Sequence, residues 1–250
     1  MMKIKTIHYV WLGGEKNDKV KKCIRSWKKY LPDYKTQEWN ESNIPDVEFV
    51  SNAIKEKNYA KVSDYVRIWA LKDRGGVYFD TDIEIVSNEL YNILETRNSN
   101  QTILGIESYN PFVINNAVII ACKNCGLMNS IFDQFDRFSG KELANESGPL
   151  LLTKVYNQHL YSHVKLLPPH MFFSHKWDEY NTSIHPKAIL LHYGEASWIE
   201  NIPIKFDVDK RLDDRKKYLI LRKMIYDIEQ GSLKYILLLT INLLKRKLKI

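Results

Sequence analysis

The chain is poor in the features that mark disulfide-rich, secreted or membrane-spanning proteins. It has three cysteines in 250 residues, Cys23, Cys122 and Cys125, which are too few for a disulfide framework and are typical of a reducing compartment. Cys122 and Cys125 form half of a zinc motif, and no second half accompanies them. The longest apolar run, within residues 233–244, has about ten residues, whereas a transmembrane helix needs about 20. No apolar segment follows Met1-Met2-Lys3, so we also expect no signal peptide.

An excess of charge of either sign is missing over most of the chain. The net charge is +7, yet residues 1–209 hold 25 Lys and Arg against 26 Asp and Glu. Residues 210–250 hold 12 basic and 4 acidic residues, so the whole basic excess lies in this tail. We therefore expect the tail to have an acidic surface as its partner, and we expect no nucleic-acid partner.

Hydrophobic periodicity predicts strands that alternate with helices. The predicted strands are Lys3–Trp11, Lys35–Trp39, Val77–Asp80, Ile83–Val86, Thr102–Glu107, Asn116–Cys122 and Ala188–His192. The predicted helices are Asp18–Leu31, 49–57, 59–74, Leu127–Phe138 and Pro149–His159. This alternation predicts an α/β fold with a mostly parallel sheet flanked by helices. After Pro203 the sequence becomes richer in basic residues, which predicts a domain over residues 1–204 and a basic helical extension over 205–250.

The densest cluster of informative polar residues lies within residues 59–86. A predicted helix carries Ser63, Asp64 and Arg67, a Gly-Gly turn follows, and a short apolar strand leads into Asp80-Thr81-Asp82. Residues i and i+2 of a strand point to the same side, so the two carboxylates converge. Oxygen ligands at a strand end suit Mg²⁺ or Mn²⁺, and open α/β sheets bind ligands at that edge. The stretch predicts a metal and diphosphate site, whereas Asp-x-Asp alone would equally fit a solvated turn.

The longer pattern resembles glycosyltransferase family 32, whose sugar-binding region contains a DXD motif, and the glucosyltransferase domains of large clostridial toxins. The resemblance is carried by Ser63-Asp64-x-x-Arg67, Gly75-Gly76 and Asp80-x-Asp82, and by a second block, residues 7–14 followed by Ser26-Trp27. It covers roughly residues 4–200. It implies a Rossmann-like GT-A fold and an enzyme that uses Mn²⁺ or Mg²⁺ to transfer a sugar from a nucleotide-sugar donor.

The resemblance also implies roles for individual side chains. Asp82 is the expected direct metal ligand, and Asp80 would reach the metal through water or bind ribose and sugar hydroxyls. Asp64 and Arg67, with Ser63 beside them, are expected at the donor sugar, with Arg67 also near the diphosphate. From the sequence alone, Asp64 and Arg67 lie three residues apart on a helix and equally fit a surface ion pair.

Further candidates lie outside this stretch. By the same resemblance, Trp11 stacks on the uracil of the donor, Asn116 lies beside the donor, and His192 completes the metal shell. Ser197 and Trp198 would close over the diphosphate, although their spacing differs from that in the toxins. A core position for Trp11 and a structural role for His192 are the alternatives that the residues leave open.

The expected activity is a retaining, metal-dependent transfer of a sugar from a UDP-sugar to a saccharide acceptor in bacterial surface polysaccharide synthesis. A protein acceptor and an inactive scaffold of the same fold at a membrane surface are the alternatives. A metal-dependent phosphatase or nuclease is disfavoured, because the first strand carries no Asp-x-Asp-x-[Thr/Val] block. The oligomeric state stays open.

The C-terminal tail suggests where the acceptor lies. Residues 233–250 combine a leucine-rich segment with Lys245, Arg246, Lys247 and Lys249. A basic helix that is apolar but too short to span a bilayer fits an anchor in the membrane interface. We therefore expect a lipid-linked acceptor and a peripheral, cytoplasmic location on the inner face of the membrane. A helix that docks on the core is the alternative.

Overall fold

The computed structural model describes residues 4–137, 147–159, 161–173 and 185–194, all of which belong to one compact unit. The strands of this part of the chain are β1 (Thr6–Val10), β2 (Lys35–Trp39), β3 (Gly76–Phe79), β4 (Ile83–Ile85), β5 (Thr102–Tyr109), β6 (Phe112–Ala121), β7 (Val164–Leu167) and β8 (Leu190–His192). The helices are α1 (Asp18–Tyr30), α2 (Glu48–Lys55), α3 (Tyr59–Arg74), α4 (Glu89–Thr96), α5 (Gly126–Arg137), α6 (Pro149–Gln158) and α7 (Pro169–Phe172).

The main sheet has six strands in the order β2-β1-β3-β6-β5-β7. Every strand of this sheet except β6 runs in the same direction. β6 is antiparallel to its neighbours because it follows β5 in a hairpin. β4 and β8 form a separate antiparallel pair, in which Ile83 lies opposite His192. The predicted α/β class with a mostly parallel sheet is confirmed.

Consecutive residues of the central strand β3 enter two different hydrophobic cores. Tyr78 packs in a core that α2, α3, α5 and α6 cover, with Val66, Leu71 and Ile119. Val77 and Phe79 pack in the core on the other face, which is closed by residues of α1, α4 and α7. This period of two, together with full burial of all four residues of β3, explains why the strand is apolar throughout.

The connection from α3 to β3 explains the Gly-Gly pair at its end. Asn58 caps the start of α3, where its side chain accepts a hydrogen bond from the backbone N–H of Lys61. At the other end Gly75 and Gly76 have φ values of 65° and 114°, which favour glycine. A Cβ on Gly75 would lie 2.5 Å from the backbone nitrogen of Lys123, and one on Gly76 would lie 2.6 Å from the carbonyl oxygen of Thr6. The two glycines therefore let the chain turn tightly into the centre of the sheet.

The structure differs from the sequence-based prediction in several elements. β6 begins at Phe112 rather than Asn116, so Asn116 lies inside a strand rather than at its start. The elements α4, β7 and α7 were not predicted; β7 and α7 have four residues each, whereas α4 has Leu90, Ile93 and Leu94 at helical spacing on the core. The extension 205–250 and its boundary lie outside the described residues. None of the helices in the described part of the chain has the length and apolar character needed to cross a bilayer.

Candidate functional site

Three side chains that could bind a metal converge at the carboxyl end of β3. One oxygen each of Asp80 and Asp82 and one ring nitrogen of His192 lie within 4.8 Å of one another. Opposite ligands of a Mg²⁺ ion at about 2.1 Å each would be about 4.2 Å apart, so the three atoms need only a small contraction. Carboxylate oxygens with one imidazole nitrogen form a donor set that Mn²⁺ accepts and that Mg²⁺ accepts less readily. The residues present therefore fit a divalent cation.

The pairing of β4 with β8 brings His192 to the two aspartates. The backbone N–H of Ile83 donates to the carbonyl oxygen of Asp80, at 3.1 Å, and turns the chain from β3 into β4. The backbone N–H of Tyr193 donates to the carbonyl oxygen of Asp82, at 3.1 Å, and continues the pairing past Ile83 and His192. As a result His192 Nε2 lies 3.5 Å from Asp82 Oδ1.

Arg67 is the centre of the polar network beside this cluster. Its side chain is 5% exposed, and one terminal nitrogen lies 3.1 Å from Asp64 Oδ1 and 3.3 Å from Asp80 Oδ1. The other terminal nitrogen donates to the carbonyl oxygen of Asn116, at 2.7 Å. Nε donates to the carbonyl oxygen of Ser63, and the guanidinium lies 4.7 Å from the centre of the Tyr78 ring. Arg67 and Asp64 are therefore not a surface ion pair.

A second set of hydrogen bonds holds one oxygen of Asp80. The Tyr78 hydroxyl donates to Asp80 Oδ1, at 2.9 Å, and its own oxygen lies 2.7 Å from Ser63 Oγ. Ser63 Oγ also accepts from Arg67, at 3.0 Å. The contacts of Asp80 with the Tyr78 hydroxyl and with Arg67 both use Oδ1, so Asp80 can offer Oδ2 to a ligand.

Asp64 is also held by Asn116 and faces Gly148. The Asn116 side-chain amide donates to Asp64 Oδ1, at 2.9 Å. A Cβ on Gly148 would lie 3.1 Å from Asp64 Oδ2 and 3.5 Å from the Asn116 amide nitrogen. A side chain at position 148 would therefore crowd this carboxylate, and glycine leaves Oδ2 accessible.

The electrostatics of the site favour binding of a cation. Burial raises the pKa of Asp80, and the neighbouring Asp82 carboxylate raises it further, against the opposing effect of Arg67. Burial by itself lowers the pKa of Arg67, but Asp80 and Asp64 outweigh this and raise it, so Arg67 stays charged. Burial also lowers the pKa of His192, but Asp82 and Asp80 raise it on balance. One guanidinium thus lies among three carboxylates, and a divalent cation would relieve their mutual repulsion.

The structure brings most of the predicted site residues to one edge of the sheet. Trp11 lies just after β1, is partly exposed, and donates through Nε1 to the carbonyl oxygen of Gly14, at 2.8 Å. Lys16 Nζ lies 5.8 Å from the centre of its ring. Ser197 and Trp198 lie outside the described residues.

Sequence reasoning missed one side chain of this network. Tyr78 was treated as part of an apolar strand, yet its hydroxyl bonds to Asp80. Asn115, adjacent to the predicted Asn116, donates to Glu107, at 3.1 Å, and Glu107 was not singled out in the sequence.

Comparison with known families agrees with this geometry. Residues 17–101 match the family described as glycosyltransferase sugar-binding region containing DXD motif. This segment includes Ser63, Asp64, Arg67, Asp80 and Asp82. The predicted resemblance and the predicted enzyme class, a glycosyltransferase, are confirmed. A comparison with curated protein sequences found no match.

Several solved structures are similar to this chain. One is the PaToxG glycosyltransferase, with a TM-score of 0.48 and 22% identity over 62% of this chain and 69% of the other. Another is a glycosyltransferase involved in glycosylation of the major capsid of PBCV-1, with a TM-score of 0.47 and 12% identity over 86% of this chain and 98% of the other. A third is the catalytic domain of alpha-toxin from Clostridium novyi, with a TM-score of 0.36 and 12% identity over 53% and 57%.

Proposed function

We propose that this chain, which carries the DXD-type sugar-binding region of a glycosyltransferase, moves a sugar from a UDP-sugar to a saccharide acceptor with retention of anomeric configuration. The observation that carries the proposal is the network around Arg67. One buried guanidinium joins Asp64 to Asp80, at 3.1 and 3.3 Å, next to a cluster that can hold a cation. The proposed sugar site and the proposed diphosphate site would thereby be held in fixed geometry, which is what transfer from a sugar nucleotide requires.

Asp64 and Arg67 would bind and orient the donor sugar. Asn116 and Arg67 hold Asp64 Oδ1, so that Oδ2, beside Gly148, is free to accept a hydrogen bond from a sugar hydroxyl. Arg67 is charged and buried, so its positive charge acts at low local dielectric on the negative charge that develops on a leaving diphosphate. Trp11, partly exposed at the end of β1, would stack on the uracil.

Asp80, Asp82 and His192 would hold Mn²⁺ or Mg²⁺, which supplies positive charge against the departing diphosphate. Asp82 and His192 offer one oxygen and one nitrogen, and Asp80 offers the oxygen that Tyr78 and Arg67 do not occupy. Ser63 and Tyr78 keep Asp80 in one orientation. Asp80 thus keeps its position through contacts with α3 and β3.

The acceptor would be a saccharide linked to a lipid, and the chain would work at the inner face of the cytoplasmic membrane in the synthesis of a bacterial surface polysaccharide. The basic excess of residues 210–250 and the leucines of 233–250 support this location. The sparse cysteines support a reducing compartment. A protein acceptor is the second candidate, because a DXD-type site reads the donor and leaves the acceptor open.

Donor hydrolysis tests the proposal most directly. The purified chain is incubated with a panel of UDP- and GDP-sugars in Mn²⁺, in Mg²⁺ and in excess chelator, and release of nucleotide and sugar is measured. We expect release from at least one UDP-sugar, dependent on the cation, with the released sugar first appearing as the α-anomer by NMR. Asp82→Asn and Asp64→Asn should abolish release, and Asp133→Asn, an exposed aspartate of α5, should not.

Other outcomes identify the alternatives. Release of inorganic phosphate from phosphate esters would indicate a phosphatase. No turnover of any donor would indicate a scaffold that has lost activity. Full turnover in excess chelator would overturn the metal-dependent mechanism.

A further inference from the structure

We propose that Glu107, held in place by Asn115, binds the acceptor saccharide: its carboxylate accepts a hydrogen bond from an acceptor hydroxyl group. The inference rests on the proposed function and assigns the acceptor side of the same site. It names the acceptor as a polyhydroxy compound that donates hydrogen bonds to a carboxylate.

Hydrogen bonds connect Glu107 to the aspartates through β6. The Asn115 side-chain amide donates to Glu107 Oε2, at 3.1 Å, and its oxygen accepts from the backbone N–H of Ala117, at 2.7 Å. The carbonyl oxygen of Ala117 in turn accepts from the backbone N–H of Asp80, at 2.8 Å. Asn115 is 5% exposed, so it holds Glu107 from within the protein.

Ring packing connects β5 to His192 along a second path. A Cβ on Gly105 would lie 2.4 Å from a ring carbon of Phe173, so glycine admits this ring against β5. The centre of the Phe173 ring lies 5.6 Å from that of His192. The strand that carries Glu107, two residues after Gly105, therefore packs beside His192.

The backbone at Glu107 is irregular. In the pairing of β5 with β6, Ile106 lies opposite Ile114 and Ser108 opposite Val113, so Glu107 is an extra residue in β5. Such a β-bulge re-aims a side chain, and bulges are common next to active sites. The bulge frees Glu107 from the regular alternation of the strand.

Two pairs of a carboxylate and a carboxamide then start from adjacent residues of β6. Asn116 bonds to Asp64, and Asn115 bonds to Glu107. A carboxylate only accepts hydrogen bonds and repels phosphate, so Glu107 suits a neutral hydroxyl donor and not the diphosphate. With the donor sugar at Asp64, the acceptor is the substrate that remains for Glu107.

The test separates transfer from donor hydrolysis. Wild type, Glu107→Gln and Glu89→Gln are compared for UDP release in Mn²⁺, from the UDP-sugar that the donor screen selects. Release is measured without an acceptor and over a concentration series of methyl α- and β-glycosides. Glu89→Gln is the matched control, because Glu89 also accepts from an asparagine amide, that of Asn92, but on the surface of α4.

We expect donor hydrolysis by Glu107→Gln to stay within about twofold of wild type, while the KM for the stimulating glycoside rises about tenfold, as loss of one charged hydrogen-bond acceptor implies. Glu89→Gln should match wild type in both assays. If Glu107→Gln does not fold, as judged by thermal unfolding, Glu107→Asp keeps the charge, shortens its reach, and should show the same separation.

Three results would overturn the proposal. Donor hydrolysis could fall in parallel with transfer, which would place Glu107 at the donor or the metal. The KM for the glycoside could be unchanged. If wild type hydrolyses a donor but no methyl glycoside stimulates its UDP release, the acceptor is not a saccharide. A wild type that hydrolyses no donor would instead refute the proposed function itself.

Discussion

At the scale of single residues, Arg67 shows how a helix residue becomes the structural centre of a site. Its guanidinium contacts two carboxylates, a hydroxyl and two backbone carbonyl oxygens. Lysine cannot reproduce these contacts, because its ammonium group is a point charge with no planar fork. The same residue therefore supports both the geometry of the site and the stability of the chain around it.

Truncation of Arg67 should cost stability as well as activity. Arg67→Ala leaves Asp64 and Asp80 without their shared counter-charge, and we expect the free energy of unfolding to fall by about 3–5 kcal/mol. Arg25→Ala, an exposed arginine of α1, should change it by under about 0.5 kcal/mol. Urea unfolding followed by circular dichroism measures both variants. Equal stability of the two variants would mean that the contacts of Arg67 do not stabilise the fold.

His8 is a buried histidine whose role lies outside the site. It is fully buried in β1, its Nε2 lies 2.9 Å from the carbonyl oxygen of Gly75, and its Nδ1 accepts from Trp39 Nε1, at 3.3 Å. Burial lowers the pKa of His8 to about 4, against the opposing effect of its hydrogen bond to Gly75. The ring is therefore neutral, and it holds the end of α3 where the chain enters β3.

His8 should make the protein sensitive to acid. His8 takes up a proton near pH 6.5 in the unfolded chain but only near pH 4 in the folded chain. The destabilisation of the fold by His8 is therefore absent above pH 6.5 and grows as the pH falls. By pH 4 the free energy of unfolding should fall by about 3 kcal/mol more in wild type than in His8→Gln. Denaturant unfolding at a series of pH values measures this difference. Curves that stay parallel between pH 7 and pH 4 would contradict it.

At the scale of elements, α1 holds β4, the strand that follows Asp82 and pairs with the strand that carries His192. Trp27 Nε1 donates to the carbonyl oxygen of Ile83, at 2.7 Å, and Ser26 Oγ accepts from the backbone N–H of Ile85, at 2.9 Å. Between them, Glu84 pairs with Lys22 and with the Tyr193 hydroxyl. Three consecutive residues of β4 are thus fixed by one helix, and β4 pairs with the strand that carries His192.

Loss of one of these contacts should reach the metal site. Trp27→Phe keeps most of the buried ring but leaves the carbonyl oxygen of Ile83 without its donor, which should cost about 1–3 kcal/mol of stability. We also expect weaker Mn²⁺ binding in calorimetric titration, because Asp82 immediately precedes β4. Trp69→Phe, in the other core, is the control. If Trp27→Phe loses stability while its Mn²⁺ affinity equals that of the control, α1 supports the fold but does not position the ligands.

At the scale of the whole molecule, the charge asymmetry separates the candidate catalytic part from the tail. Residues 1–209 are nearly neutral, and the basic excess lies in residues 210–250. Each basic residue near an anionic membrane surface contributes about 1 kcal/mol of binding. The proposed location at a membrane surface would therefore depend on the tail.

Removal of the tail should separate recruitment from chemistry. Deletion of residues 233–250 should abolish co-sedimentation with vesicles that contain anionic lipid, and should leave donor hydrolysis intact. Replacement of the basic cluster by glutamine should weaken binding in the same direction; the cluster is Lys245, Arg246 and Lys247. The control replaces the same number of exposed lysines of α1, namely Lys21, Lys28 and Lys29. If the full-length protein does not co-sediment with anionic vesicles at low salt, the tail instead packs on the fold or forms an oligomer contact.

The sequence by itself determined the features that depend on short separations along the chain. The period of two places Asp80 and Asp82 together after β3, and the helical period places Ser63, Asp64 and Arg67 on one side of α3. The Gly-Gly turn and the apolar strand are equally local. These patterns were sufficient for the α/β class, for most of the elements, and for the site at the end of β3.

Only the tertiary structure decided which distant residues meet. Asn116 lies 52 residues from Asp64, and Glu107 and His192 reach the site from two further strands. No local period encodes these contacts, because they depend on the order and register of the strands, which are set by how both faces of the sheet bury their apolar residues. The sequence therefore determined the local motif, and packing over both faces of the sheet determined which side chains surround it.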